Sequence, residues 1–284
     1  SAPTVLSVLS SSASGAVITS GEGRIDVMMP AYMPDVRFYT SGSTGSTFTW
    51  IKPIGAKFAR VILQGAGGGG GGSTSTAYGS LYNGGGGGSG AFTDVTLDVS
   101  SVLTASIVIG IGGLGAPAVN AANGAAGAGG SITSFTTPAN TIYANGGSGG
   151  NGCTSANAAA GGAGGTAMSV AGGGYSNAGE PGSSGGSNAT YTVYGKCGGG
   201  GAGGWGVRGA TIVPIIPSTC FGYNKTSDGI DISTLTFYIG SSGNSATTVQ
   251  ANSGSGGGAA YANVRATGVR SDQGGNGYVI VISW

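Results

Sequence analysis

Short apolar stretches with a two-residue alternation recur along the chain and are separated by glycine runs. The alternation is clearest over 91–99, and residues 277–284 form a nearly continuous apolar run. A period of two is typical of strands, and no stretch shows the 3.6-residue period of an amphipathic helix. We predict an all-β and irregular fold with strands at 57–64, 91–99, 105–111, 131–135, 140–144, 234–239, 260–265 and 277–284. The strand that leads into Gly67–Gly72 and the closing strand are expected to be neighbours.

Glycine accounts for 65 of the 284 residues, several times its usual share. Glycine runs are often flexible linkers, and ordering each glycine costs about 1–2 kcal/mol of backbone entropy. Disordered segments are normally rich in charge, whereas charged residues here make up only 7% and the mean hydropathy is +0.19. We therefore expect ordered runs at 67–72, 84–88, 110–115, 124–130, 146–152, 161–165, 172–174, 198–204 and 254–258.

An ordered glycine run needs hydrogen-bond partners for every N–H and C=O group. An α-helix is disfavoured by about 1 kcal/mol per glycine relative to alanine. The remaining regular conformation is an extended helix with three residues per turn, like polyproline II. Such helices lack Cβ atoms and can exchange N–H···O bonds side by side, with Cα–H···O contacts added. The sequence predicts a β-strand base or sandwich joined to a bundle of packed polyglycine II helices, with loops at the distal end.

Residues 1–45 differ from the rest because they are rich in Ser, Thr and Ala and carry a Met/Pro cluster. The prolines exclude a helix there, although 24–28 and 35–39 could form short strands. A segment this small has no core of its own. We expect an N-terminal attachment arm over 1–45 and a glycine-rich β/polyglycine domain over 46–284. The residues expected to attach a partner are Met28, Met29, Tyr32, Met33, Phe38 and Tyr39.

The charge is low and balanced, with 10 basic and 9 acidic side chains. Such a chain offers no electrostatic footprint for nucleic acid or an anionic membrane. No apolar run reaches the ~18–20 residues that span a bilayer, and the first residues lack the basic region of a signal peptide. We expect a soluble chain that neither binds nucleic acid nor inserts into a membrane.

No residue pattern points to catalysis. The chain has no histidine, which removes the commonest general base and metal ligand. GxGxxG strings follow from the glycine content, and none opens a helix with an acidic residue about 20 positions later. The pairs Asp94/Asp98 and Asp228/Asp231 could be imagined as a hydrolase dyad or a calcium site, but surface and turn roles are favoured. We predict no enzyme activity, no cofactor and no metal.

The three cysteines are far apart and form no CxxC pair. An odd number without metal-ligand spacing argues against a disulfide framework or a zinc site. A single Cys153–Cys197 bridge remains open, but we favour buried thiols at these two positions and at Cys220.

Aromatic side chains are frequent in the inserts between the glycine runs. Aromatic residues on loops that a rigid scaffold holds are typical of recognition surfaces. The alternative is that they close the ends of the bundle as small local cores. We favour recognition because several inserts share the pattern. The candidate contact residues are Tyr78, Leu81, Tyr82, Tyr175, Tyr191, Tyr194, Trp205, Arg208, Phe221 and Tyr223.

Four stretches follow one another in a recognisable order: Phe48–Pro53, Val61–Ala66 with the glycines after it, Ile107–Gly110 and Gly277–Val281. Over roughly 47–284 they resemble the glycine-rich domain of tailed-phage minor tail and tail-fibre proteins. The polyglycine architecture is also similar to the tail-fibre tip adhesins of T-even-type phages. The resemblance implies a virion protein at the distal end of a fibre or spike, whose variable loops touch the host. Residues 1–45 lie outside it and are the attachment arm by position alone.

The expected function is host attachment through aromatic loops that engage an outer-surface protein or glycan, while the arm joins other tail or fibre subunits. A homotrimer and a single cap on a trimer both remain open. The alternative is a purely structural virion component, a decoration or joint protein without receptor contact. Bulky, irregular loops argue against an ice-binding protein, and the lack of a carboxylate constellation argues against a depolymerase. The expected location is the virion tail tip or fibre, after assembly in the host cytoplasm.

Overall fold

The structure is a computed structural model, and it describes residues 8–11, 14–21, 24–27, 34–41, 45–75, 81–117, 119–120, 123–154, 159–169, 174–182, 184–185, 187–188, 211–212, 224–225, 229–231, 236–238, 254, 256–257, 271 and 273–284. The strands are β1 (Val8–Ser11), β2 (Ser14–Gly21), β3 (Arg24–Val27), β4 (Asp35–Thr40), β5 (Ser46–Ile51), β6 (Phe58–Gln64), β7 (Thr74–Ser75), β8 (Leu81–Tyr82), β9 (Phe92–Asp98), β10 (Thr104–Ile109), β11 (Val119–Asn120), β12 (Thr133–Thr136), β13 (Thr141–Ala144), β14 (Tyr175–Asn177), β15 (Ser187–Asn188), β16 (Thr211–Ile212), β17 (Asn224–Lys225), β18 (Gly229–Asp231), β19 (Thr236–Tyr238) and β20 (Tyr278–Ser283). Within these ranges no helix is long and apolar enough to cross a membrane.

Two antiparallel sheets form the body of the protein, with strand orders β14-β9-β6-β20-β4 and β13-β12-β10-β5. β6 lies at the centre of the five-stranded sheet, between β9 and the closing strand β20. The predicted pairing of the two apolar strands is therefore confirmed. β4, which the sequence analysis assigned to the arm, pairs with β20 along its whole length. Residues 35–40 are thus part of the same sheet as the domain that follows them.

The two sheets pack face to face around one apolar core, as in a β-sandwich. On β10 exposed and buried residues alternate, which is the two-residue period expected of a half-buried strand. Trp50 of β5 and Phe135 of β12 are fully buried, and their ring centroids lie 5.7 Å apart. The other buried members of this core are Ala59, Val61, Leu63, Val95, Val99, Val102, Ala105, Ile107, Ile109, Ile142, Ala144, Val279 and Val281.

Glycine-rich segments continue from the strands and exchange hydrogen bonds with one another. We number them I (65–73), II (83–91), III (110–117), IV (123–131), V (145–153), VI (159–166), VII (179–182 and 184–185), VIII (254 and 256–257) and IX (271 and 273–277). Segment I is buried throughout and contacts six others. Its N–H groups donate to segments II, IV and IX, and its C=O groups accept from segments III, V and VIII.

The hydrogen bonds of segment I repeat every third residue. The N–H groups of Gly65, Gly68 and Gly71 all donate to carbonyls of segment II, each over 2.8 Å. The N–H groups of the residues that follow each of these donate to segment IV, over 2.8–3.3 Å. A three-residue repeat is the period of an extended threefold helix, and it differs from the period of a strand or an α-helix.

Segments in the centre of the bundle contain more glycine than segments at its edge. In segment VI, Gly162 and Gly165 are buried while Ala160 and Ala163 are exposed. A Cβ atom on either buried glycine would overlap a carbonyl group of a neighbouring segment. Glycine is therefore needed where a residue faces the carbonyl of a neighbouring segment, which holds for most residues of segment I but only for every third residue, Gly179, Gly182 and Gly185, of segment VII. Collagen shows the same logic, with glycine at every third residue.

The segments connect the sandwich to one far end of the molecule. Segments I, III and V lead away from β6, β10 and β13, and segments II, IV and IX return to β9, β12 and β20. At the far end, β11, β7, β8 and β15 form a small sheet. The nine residues of segment I separate the sandwich from this distal end. We call the opposite end, with the loops 52–57, 99–103 and 137–140 and the terminal Trp284, the base.

The predicted strands are confirmed with shifts of at most two residues at either end, except 260–265, which lies outside the described residues. Among the glycine runs, 198–204 and most of 172–174 also lie outside them. The sequence pattern did not predict β5, nor segment VII, whose glycines are spaced three apart, nor segment IX, which has only Gly274, Gly275 and Gly277. The expected boundary at residue 45 falls between β4 and β5, and both strands belong to the sandwich.

Candidate functional site

Hydrogen bonds between the ends of the glycine segments fix the distal end of the bundle. The N–H of Gly84 donates to Ser73 Oγ over 3.0 Å, which joins the two ends of the connection between segments I and II. Ala159 donates from its N–H to the carbonyl of Asn83 over 3.1 Å and accepts from Gly185 over 2.9 Å. Segments II, VI and VII therefore end at the same level, and the connections beyond them start from fixed positions.

Three predicted contact residues belong to the connection between segments I and II. Leu81 and Tyr82 form β8, which pairs with both β7 and β15 at the distal end. Tyr82 is half-buried. Tyr78 lies between β7 and β8 but outside the described residues. The structure thus puts this connection on the far side of the bundle from the sandwich.

Tyr175 has a different location from these. It lies on β14, opposite Asp94 of β9, and its side chain is 55% exposed. Its ring centroid is 6.3 Å from that of Phe92. Segment II separates β9 from β8, so Tyr175 lies beside the sandwich whereas Tyr82 lies at the distal end. These two predicted contact residues therefore do not share one surface.

Two of the residues predicted to attach a partner lie on β4. Phe38 is 48% exposed on the outer face of the five-stranded sheet. Tyr39 faces the sandwich, and its ring centroid is 5.4 Å from that of Phe48. Burial raises the pKa of Tyr39 above its ordinary value, and the nearby Arg37 partly opposes the rise. Tyr39 is thus a packing residue of the sandwich, whereas Phe38 is accessible.

The other predicted site residues lie outside the described residues. For the contact surface these are Tyr191, Tyr194, Trp205, Arg208, Phe221 and Tyr223, and for the arm they are Met28, Met29, Tyr32 and Met33.

The candidate carboxylate pair on β9 is engaged in local contacts. Asp94 accepts two hydrogen bonds from Arg60, of 2.9 and 2.6 Å, and this contact raises the pKa of the Arg60 guanidinium. Asp98 accepts a hydrogen bond from the N–H of Ser100. Hydrogen bonding with the side chain of Ser100, and then with its backbone, lowers the pKa of the Asp98 carboxyl group. Across the described ranges, no three His, Cys, Asp or Glu side chains are grouped so that they could hold a metal ion. Cys153 is a buried thiol.

The base carries a surface that the sequence analysis missed. Large apolar side chains are exposed there to different degrees: Ile54 99%, Leu103 76%, Ile51 60%, Phe58 42% and Trp284 40%. Beside them is a cleft of about 550 Å³ lined by Pro34, Gly55, Lys57, Phe58, Ile282 and Trp284. The signal in the sequence is weak, because single apolar residues in turns are common on protein surfaces.

Most of the chain matches one known protein family. The profile of the glycine-rich domain family matches residues 41–284, so the chain belongs to that family. The match begins one residue after β4 and ends with the chain. No curated protein matches the sequence.

Proposed function

We propose that this protein is a virion component of a tailed phage, at the tip of a tail or tail fibre, that binds the host cell surface through its distal connections. The proposal rests on the path of the glycine segments, which run from the sandwich to the distal end and back again. They leave the sandwich, exchange main-chain hydrogen bonds with one another, and hold the ends of several connections at one level. This arrangement supports a display scaffold whose working surface is the set of connections.

Rigidity of the scaffold favours binding. We take the glycine segments to be polyglycine II helices, because their hydrogen bonds repeat every third residue. Each segment is held by its neighbours through backbone groups, so the connections start and end at fixed positions. Loops that are ordered before contact lose less conformational entropy on binding. A host-surface protein or glycan would therefore meet a prearranged surface.

The aromatic content of the connections supports the same function. Tyr and Trp supply large contact area at a low entropic cost, and they are enriched in binding loops for this reason. Tyr82 stands at the distal end, and Tyr78, Trp205 and Arg208 lie in inserts of similar composition. No catalytic group is needed, so the proposed activity is binding alone.

The alternative is a purely structural virion component, a joint or decoration protein. The exposed apolar base favours this alternative, because such a patch on an isolated protein is typical of a contact with another subunit. In this case the distal connections would have no receptor to bind.

The two functions are separated by binding of the purified full chain to susceptible bacteria. We compare wild type, Tyr78→Ala/Tyr82→Ala, Trp205→Ala/Arg208→Ala and Tyr175→Ala, with thermal unfolding as the check on folding. Tyr175→Ala is the matched control, since it removes an exposed tyrosine from the sandwich. We expect saturable binding that a distal double substitution abolishes and Tyr175→Ala retains. Folded wild-type protein that does not bind would refute the adhesin function and favour the structural alternative.

A further inference from the structure

Segment II is buried throughout, but described residues account for only five of the six positions around it. Its N–H groups donate to segments V, VII and VIII, and its C=O groups accept from segments I and VI. Around segment I, neighbours that accept hydrogen bonds from it alternate with neighbours that donate to it. The same alternation around segment II leaves one position for a donating neighbour, between segments VII and VIII, which we call the sixth position.

Two carbonyl groups of segment II belong to the sixth position. The carbonyls that accept from its other neighbours are spaced three residues apart: those of Asn83, Gly86 and Ser89 accept from segment VI, and those of Gly85, Gly88 and Ala91 accept from segment I. The remaining set begins with Gly84 and Gly87. Both are buried, and no donor among the described residues bonds to their carbonyl oxygens. Since buried carbonyls normally have partners, a donor is expected at the sixth position.

Segment VII indicates on which side that donor lies. In the complete part of the bundle, Gly127 of segment IV lies over two carbonyls of segment I, and these accept from the segments on either side of segment IV. Gly182 of segment VII lies in the same way over the carbonyls of Gly86 and Gly87. The carbonyl of Gly86 accepts from segment VI. The donor to Gly87 is therefore expected on the other side of segment VII, which is the sixth position.

Gln64 closes the sixth position at the sandwich end. The next carbonyl of the same set, that of Gly90, accepts from Gln64 Nε2 over 2.8 Å. Gln64 is fully buried, so its side-chain amide replaces a main-chain donor there. The occupant of the sixth position has to supply two further N–H groups, spaced three residues apart, to Gly84 and Gly87. A short glycine segment has this spacing.

The predicted glycine run at 198–204 fits this requirement. It lies wholly outside the described residues, and it follows β15 by nine residues, 189–197. β15 pairs with β8, which leads directly into segment II. Nine residues can span up to about 30 Å, so the chain can reach the sixth position from β15. This short tether gives the run a high local concentration there, which favours it over the same run of a second copy.

The sequence of this run matches that of a segment already bound to segment II. Residues 200–204 and residues 161–165 of segment VI have the same sequence, Gly-Gly-Ala-Gly-Gly. In segment VI, Gly162 and Gly165 donate their N–H groups to carbonyls of segment II, and Ala163 between them is exposed. The equivalent donors in the run are Gly201 and Gly204, which have the required spacing of three.

We infer that residues 198–204 of this chain occupy the sixth position, with the N–H groups of Gly201 and Gly204 donating to the carbonyls of Gly84 and Gly87. The docked run anchors one end of the insert that carries Tyr191 and Tyr194 and one end of the insert that begins at Trp205. The inference concerns packing within the chain, so it stands whether or not these inserts bind a receptor.

The test is amide hydrogen exchange, measured by NMR on the isotope-labelled full chain. We expect the amides of Gly201 and Gly204 to exchange on the order of a hundredfold more slowly than in an unstructured chain, because their N–H groups are bonded and buried. The amide of Ala202 should exchange faster than both, since its counterpart Ala163 is exposed. Unprotected amides at Gly201 and Gly204 in the folded wild-type chain would overturn the inference.

Two variants test which face of the run is buried. A Cβ atom on Gly162 would overlap a carbonyl of a neighbouring segment, so Gly201→Ala should displace the run and return Gly204 to the exchange rate of an unstructured chain. The matched control is Ala202→Ser, which should leave Gly204 protected. Unchanged protection of Gly204 in Gly201→Ala would contradict the assigned packing. If Gly201→Ala fails to fold, the wild-type exchange rates still decide.

Sedimentation of the wild-type chain identifies whose run is bound. Protection of Gly201 and Gly204 that persists in the monomer supports docking within one chain. Protection that is found in a dimer and lost on dilution would identify the run of a second copy as the occupant and reject the inference. The binding assay for host cells is separate from these measurements, so failure of the proposed function and failure of this inference are distinguishable.

Discussion

The packing of the glycine segments can be tested with two alanine substitutions in segment IV. Gly127 faces segment I, where an added Cβ atom would overlap the carbonyls of Gly69 and Gly70. Gly129 lies two residues further on and is exposed. The nearest atom to its added Cβ would be the carbonyl oxygen of Gly147, at an ordinary contact distance of 3.6 Å. The two variants have the same composition, the same segment and nearly the same sequence context.

The expected free-energy difference follows from these contacts. Gly→Ala at a compatible position stabilises a protein by about 0.4–1 kcal/mol through the unfolded chain, and we expect this of Gly129→Ala. At Gly127 the methyl group has no space, and overpacking costs about 1–3 kcal/mol. The hydrogen bond from Gly127 N–H to Gly150, 2.9 Å long, would also be disturbed, at a cost of about 1–3 kcal/mol for a buried group left without a partner. Gly127→Ala should therefore be less stable than Gly129→Ala by about 2–7 kcal/mol.

The assay is urea and thermal unfolding of the two purified variants beside wild type. For a chain of this size 1 kcal/mol corresponds to about 2–4 °C in Tm, so the variants should differ by at least about 4 °C. If Gly127→Ala fails to fold while Gly129→Ala folds, the result also supports the packing argument. Equal stability of the two variants would refute the packing argument, since it would show that the face of segment IV does not matter.

Two further predictions concern single side chains. Ser271 is buried, with its hydroxyl near the carbonyls of two glycine segments, so Ser271→Ala should cost about 1–3 kcal/mol in urea unfolding. The exposed Ser148→Ala is its control, and equal losses in both would count against a buried hydrogen bond. Burial raises the pKa of Tyr278 above its ordinary value of 10.0, so its stabilising effect is complete below pH 10 and falls as pH rises, because the unfolded chain loses the proton first. Tyr278→Phe should remove about 1.4 kcal/mol per pH unit of that slope, and an unchanged alkaline transition would contradict the assignment.

Most strands of the sandwich were predictable from the sequence, whereas the pairing of strands far apart in the sequence was mostly not. β9 and β20 have the alternation or apolar run that burial requires, and their bounds were predicted within one residue. β5 was missed because Ser46, Thr47 and Thr49 continue the composition of the linker before it. Its strand character comes from Trp50 and from pairing with β10, a contact between residues far apart in sequence.

The sequence predicts that the connections are rich in aromatic residues, but it does not predict where each of these residues lies in the structure. Tyr82 and Tyr175 stand in similar surroundings in the sequence, each close to a glycine run. They lie at different ends of the bundle because segment II returns to β9 while β14 pairs with β9. Which end a residue occupies depends on the direction of each segment, and glycine runs carry no side-chain pattern that reveals direction. The spacing of glycines does carry information that can be recovered, because a three-residue repeat indicates an edge segment and an unbroken run indicates a central one.

The same geometry separates the determinants of the fold from those of the distal surface. Among the described residues, the members of the main apolar core lie in or beside the strands of the two large sheets. The segments beyond them are held by main-chain hydrogen bonds and need only glycine on their inner faces. None of the described members of this core lies in the distal connections. Lengthening a loop adds only about 0.6 kcal/mol per doubling, so residues there can change with small effects on stability. A scaffold of this kind permits new binding surfaces without a new core, which is the property that the proposed adhesin function requires.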